Sequence, residues 1–292
     1  MKFLPTLVLF FTSNLLFSQV QIVAEQDQER NLTLMSFNKE AIPYTIEIRF
    51  NKLENLESPE GELLFKVAKP GKSILVKLLS IYGNVNTSFN YNTKLYKGDF
   101  QNKVLSLGPY LLPVEEGTVV DMRPLSVNNQ SSKTTPYTGV GIYFHSETKV
   151  CAPKKGIISE VQMNQEEGEA GLDDFSKENY IEIYHQDGTF TRLSGLQKSS
   201  ASVEVGEIVI PGQVIGISSV QTSSQKHHVK MIQSRWEIQT QGVMWINFPV
   251  NIFAGGEEVS TESIASQLTS SHPEELIIKE LDKKELKKYS GK

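Results

Sequence analysis

Tyr180 to Leu193 reads YIEIYHQDGTFTRL, and Val203 to Gly216 reads VEVGEIVIPGQVIG. The first string is a strand, a turn and a strand. Asp187-Gly188 separates two runs rich in β-branched and aromatic residues, the strongest short hairpin signal. In the second, Gly206 and Gly212 punctuate turns between short apolar strands. Outward from these strings, VCAP, GIISEVQ, VIGIS and WEIQT add further strands. Residues 137–253 therefore read as one strand-rich domain.

Upstream, YTIEIRF puts Tyr44, Ile46, Ile48 and Phe50 on one side and Thr45, Glu47 and Arg49 on the other, the period of a half-buried strand. ELLFKVAKPGKSILVKLL carries a Lys-Pro-Gly-Lys turn between two apolar runs and reads as a hairpin. FNYNTKLY alternates again. These strands predict a β-sandwich-like module over residues 30–105, with Phe89, Tyr91, Tyr96 and Phe100 as core. Residues 106–136, ending in VNNQSSKTTP, have the chemistry of a linker.

Residues 254–292 begin as a polar tail. PEELIIKELDKKELKKYS then reads as one helix, with acids at its start and lysines at its end to suit the dipole. The run Glu166 to Glu178, holding Glu166, Glu167, Glu169, Asp173, Asp174 and Glu178, lacks calcium-loop spacing and reads as a solvated surface loop.

Lys2 followed by a short, interrupted apolar run to Phe17 describes a signal peptide over residues 1–18, too short to span a bilayer. The mature chain is expected to be exported, to the periplasm or outside the cell, with no membrane span. The composition, 39% hydrophobic and 22% charged, is that of a globular protein. A formal charge of −5 argues against nucleic acid, which is held by clustered Lys and Arg. Cys151 is the single cysteine, so there is no disulfide framework, and it reads as a small buried hydrophobe.

The frame of residues 137–253 resembles the lysostaphin-like (LytM-type, glycyl-glycine endopeptidase) zinc metallopeptidases, which cut peptide cross-links in bacterial cell walls. GVGI at Gly139–Ile142 is similar to the family's Gly-Ile-Asp-Ile. VCAPKKGII at Val150–Ile158 is similar to its Val-x-Ala-Pro-x-x-Gly-x-Val. NYIEIYHQDGTFTRL at Asn179–Leu193 is similar to its Asn-x-Val-x-Ile-x-His-x-Asp-Gly followed by Tyr-x-His-Leu. GQVIG and the Glu237-Ile238…Gly242 closure complete the resemblance. It implies an antiparallel β domain of that family, behind the N-terminal β module and ahead of a helical tail.

In the family, a His, an Asp four residues on and the second His of a His-x-His pair hold zinc. Two further histidines work on the attacking water. Three protein ligands leave zinc a fourth position for water, whose pKa falls to about 7, and a neighbouring base can take its proton. Carried onto this chain, Tyr137 stands for the first His, Gly141 for the Asp and Arg192 for the His of Tyr-x-His-Leu. His228 and Lys230 stand for the pair. A second register would place Gln233 and Arg235 there. In either register the zinc positions lack zinc-binding side chains, so no catalytic position is intact and no cofactor is expected. His185 matches a family histidine outside the zinc set. A relocated site would have to draw on His145, His185 and one of His227 or His228.

The resemblance therefore implies an exported pseudoenzyme that binds cell-wall peptidoglycan or regulates wall hydrolysis. Its partners would be stem peptides or a wall hydrolase, and its ligand-binding residues Arg192, His228, Lys230 and His185. The alternatives are a zinc endopeptidase with displaced ligands and a structural envelope protein.

Overall fold

The computed structural model describes residues 19–102, 108–125, 137–166, 178–221 and 226–290. The expected signal peptide and most of the acidic run lie outside them. The chain parts into two units, the first ending at Gln101 and the second starting at Asn102.

The first unit is built from β1 (Val20–Gln26), β2 (Leu32–Asn38), β3 (Tyr44–Glu54), β4 (Leu56–Glu57), β5 (Leu63–Ala68), β6 (Gly71–Ser80) and β7 (Ser88–Lys97). They form two antiparallel sheets, ordered β1-β2-β6-β4 and β5-β3-β7. In β3, Tyr44, Ile46, Ile48 and Phe50 are buried, joined by Leu34, Val76 and Leu78, but the alternation is partial, because Thr45 and Glu47 of the opposite set are buried as well and only Arg49 there is exposed. The Lys-Pro-Gly-Lys turn does not make a hairpin. β5 pairs with β3, from Tyr44↔Ala68 to Arg49↔Leu63, while β6 pairs with β2 and β4. The turn is a corner between sheets, with Gly71 at φ +87°, and it lets both apolar runs face one core. Of the four aromatics expected in the core, Tyr96 is buried, closed over by Phe100 at 5.6 Å. Phe89 and Tyr91, at the other end of the outer strand β7, are half-exposed.

The second unit holds β8 (Tyr110–Leu111), β9 (Val119–Pro124), β10 (Val140–Phe144), β11 (Lys149–Cys151), β12 (Gly156–Gln162), β13 (Tyr180–Tyr184), β14 (Phe190–Ser194) and β15 (Ile208–Val209). It continues through β16 (Val214–Ile217), β17 (Val220–Gln221), β18 (Lys226–Gln239), β19 (Gly242–Asn247), β20 (Asn251–Ala254), β21 (Glu257–Ser260) and β22 (Ala265–Thr269) to α1 (Glu274–Lys279) and α2 (Lys283–Tyr289). The main sheet is ordered β15-β12-β13-β14-β18-β10-β9-β22, and β17 and β19 also pair with β18. One face of this sheet carries Met122, Val140, Ile142, Ile158, Ile181, Ile183, Leu193, Val229 and Met231 into the core, where Leu112, Val114, Val150, Ala152 and Ile215 meet them. Cys151 sits there as the expected small hydrophobe, and burial pushes its thiol up to about 12.

Two expectations about the flanks are corrected. The stretch 106–136 contributes β8 and β9 to the sheets of the second unit. β8 joins β20 in parallel and β9 lies between β10 and β22, pairings with partners too far along the chain for local reading to find. The polar tail likewise supplies β21 and β22. The single terminal helix is two, because Asp282 caps α2. Its carboxylate accepts from the backbone N–H groups of Lys284 and Glu285, and the Glu285 side chain bonds back to the Asp282 N–H, a complete capping box. α1 is fixed by Ile277, buried against the body, and α2 by Glu285 on Lys155.

Candidate functional site

Because side chains alternate along a strand, the residues between the core positions of β10, β13, β14 and β18 share the opposite face of the sheet. Register fixes who meets whom. Gly141 lies opposite Lys230, and Lys230 lies opposite Ser194 on its other side. Tyr143 lies opposite His228, and Glu182 opposite Arg192. The structure thus brings Gly141, Arg192, His228 and Lys230, the residues of the first register, onto one face. Gln233, of the other register, is fully buried on the core side, and Arg235 is exposed, bonded to Glu237.

Lys230 is fully buried and carries a charge, which demands a partner. That partner is Glu178, itself 8% exposed, whose carboxylate forms an ion pair with the Lys230 ammonium and accepts a 2.6 Å hydrogen bond from Ser194 Oγ. The expectation of a solvated acidic loop does not hold for Glu178, which is an anchor of the site. A sequence signal exists: Glu178 directly precedes Asn179, the first residue of the family-like strand, and a lysine placed in a sheet centre needs a carboxylate.

No side chain stands at Gly141, and the space is taken. A Cβ there would lie 2.7 Å from the Tyr143 hydroxyl. Tyr137 donates to Thr261 Oγ1 at 2.8 Å, and burial raises its hydroxyl to about 12. Arg192 is clasped by Glu182 at 3.1 Å and stacks on Tyr180 at 4.2 Å. Glu182 also accepts from Ser159 at 3.0 Å, and Tyr180 donates to Glu160. Arg192 remains 35% exposed.

His228 packs flat on Tyr143, ring centroids 6.1 Å apart, with Nδ1 buried and without a hydrogen-bond partner among the described residues. Burial, with Lys230 and His227 nearby, lowers its pKa to about 4. Gly195, at φ +82°, lets the chain pass this ring; a Cβ there would lie 2.9 Å from the His228 carbonyl.

His185 is not part of this face. It is fully buried on the core side, its Nδ1 donating to the Lys155 carbonyl at 2.7 Å and its Nε2 accepting from Thr191 at 2.7 Å. Both ring nitrogens are used, and burial with Lys154 nearby lowers the pKa to about 4. As a ligand-binding residue His185 is therefore corrected to a structural one, and so is Lys230, whose charge is answered internally. His145 is exposed, and no relocated set forms around it among the described residues. Among the described residues no three His, Cys, Asp or Glu side chains converge as a metal site.

These residues do not fit zinc. A buried ammonium stands at one ligand position, a glycine overlain by a tyrosine at the second, and a hydrogen-bonded tyrosine at the third. The carboxylates of Glu178 and Glu182 on this face are already paired with the Lys230 ammonium and the Arg192 guanidinium.

Residues 135–242 match the family model of peptidase family M23. At these residues the chain carries a domain that matches this LytM-type family, and the domain is mostly β. No curated protein matches the chain. Among solved structures it is similar to a chain of the SpoIIQ–SpoIIIAH pore forming complex, at 19% identity over 48% of this chain and 89% of that one, with TM-score 0.34. It is also similar to the catalytic domain of lysostaphin from Staphylococcus simulans, at 23% identity over 45% of this chain and 87% of that one, with TM-score 0.28. Helicobacter pylori Csd3 is similar at 12% identity over 94% of this chain and 75% of its own length, with TM-score 0.33. These likenesses concern the fold alone.

Proposed function

We propose that this chain is an exported, non-catalytic M23-domain protein that binds cell-wall peptidoglycan, or a hydrolase working on it, through the face that carries Arg192. One observation supports the reading above others. Lys230, which the resemblance aligns with a metal ligand of the family, is buried in an ion pair with Glu178. A lysine there replaces a ligand by a cation, so the domain keeps its frame and gives up the group that would activate water. Arg192 and His228 are what remains of the expected ligand-binding set on this face. Arg192 reaches solvent and can form charge-assisted bonds to a stem-peptide carboxylate.

Two measurements test the reading. Metal analysis of the purified chain is expected to find zinc well below one equivalent; stoichiometric zinc that survives dialysis refutes the non-catalytic part. Co-sedimentation with peptidoglycan is expected to retain the wild-type chain and to retain Arg192→Ala less. Retention of neither protein removes the wall-binding part.

A further inference from the structure

Lys283 to Lys288 reads KKELKK, four lysines and one acid, in a chain whose formal charge is −5. These six residues carry +3, so the rest of the chain carries −8. They form most of α2, and the fold decides which of their charges the helix shows. Glu285 is drawn inward. Its carboxylate accepts from the Asp282 N–H at 2.8 Å, closing the capping box, and pairs with the Lys155 ammonium at 2.5 Å, docking the helix. The one acid of α2 is thereby spent.

At 3.6 residues per turn, Lys283, Lys287, Lys284 and Lys288 follow one another round a sector of about 140°. All four are exposed. Among the described residues none of them is in an ion pair. Leu286 stands at the edge of the sector, about 60° from Lys283, and is 38% exposed. α2 buries no residue. The helix is held to the body by a carboxylate and presents unanswered lysines flanked by an apolar side chain.

Charge complementarity fixes the partner as an anionic one. Two features choose among anionic partners. A polymer that wraps the chain would meet the −8 of the remainder, whereas a plane touched end-on meets α2 first, since salt confines each charge to about 10 Å. A leucine beside lysines gains free energy at the boundary of headgroups and acyl chains and gains none from a hydrated polyanion. We propose that α2 is a peripheral attachment site for an anionic lipid surface, with Lys283, Lys284, Lys287 and Lys288 on the headgroups and Leu286 at the acyl boundary. The site lies on a different element from Arg192 and does not draw on the groove reading.

The test is co-sedimentation of the mature chain, from Gln19 onward, with vesicles of phosphatidylcholine alone and of phosphatidylcholine with phosphatidylglycerol. Binding is expected only to the second, and to weaken at high salt. Changing all four lysines to Gln is expected to lower partitioning at least about a hundredfold, each contributing about fivefold, with an unchanged circular dichroism spectrum. Leu286→Ser is expected to lower it about fivefold. Lys39→Gln with Lys69→Gln and Lys72→Gln, exposed lysines of the first unit, is expected to leave it nearly unchanged. No binding to the anionic vesicles overturns the proposal, as does equal binding to the neutral ones or full binding by the four-lysine variant. Heparin bound more tightly than the vesicles also overturns it, because the partner would then be a soluble polyanion.

Discussion

At the scale of residues, Lys230 and Glu178 stand or fall together. Removing one charge of a buried pair leaves the other uncompensated, whereas replacing both by apolar groups is close to neutral. Lys230→Met is therefore expected to cost about 3–5 kcal/mol, read as a lower urea midpoint. Lys230→Met with Glu178→Met is expected to recover most of it. If the single variant is as stable as the wild type, the pair does not anchor the site. His185 and His228 give the protein a pH signature. Both have folded pKa values of about 4, below the unfolded value near 6.5. Between these limits the unfolded chain binds protons that the folded chain refuses. Their stabilisation is complete above about pH 6.5 and falls as pH drops toward 4, by up to about 1.4 kcal/mol per pH unit for each. Urea midpoints at pH 7 and 5 measure the slope. His228→Phe, which keeps a ring on Tyr143, is expected to reduce it by about half.

At the scale of elements, the site depends on how closely β14 and β18 approach. Gly195 ends β14 with a left-handed residue against the His228 carbonyl. Gly195→Ala combines backbone strain with a contact that neither strand can relieve, and is expected to cost about 2 kcal/mol or more by denaturant unfolding. A cost near zero would show that β18 is free to shift. Legibility also differs by element. The Asp187-Gly188 hairpin is readable because its partners are close in sequence, and β3 because its apolar residues recur at every second position, although Thr45 and Glu47 between them are buried too. The ladder Gly141–Lys230–Ser194 is readable in part, since the family-like frame aligns the first two. Glu178 escapes because acidic neighbours in sequence suggest solvent. β8 and β22 escape because short strands with distant partners leave little periodic trace, and β9 because its Val120/Met122 alternation covers too few residues to stand out from a linker. The break between α1 and α2 is present in the sequence as Asp282 and Glu285, a capping box inside a continuous helical pattern.

At the scale of the whole molecule, each unit has its own core and its own surface chemistry. α1 and α2 belong to the second unit through Ile277, through Glu280, which accepts from the Lys155 N–H at 2.7 Å, and through Glu285. Ending the chain at Ser271 removes one buried isoleucine and these polar contacts. The truncated protein is expected to lose about 2 kcal/mol, seen as a lower melting temperature of the transition that reports the second unit. An unchanged transition would mean that the helices only decorate it. A further consequence lies in Lys230. Its ammonium is tethered by covalent bonds, so the centre of this domain cannot be stripped by a chelator, starved by scarcity or poisoned by a competing ion. On the proposed reading, the stability of the domain is therefore expected not to depend on the supply of metals around it.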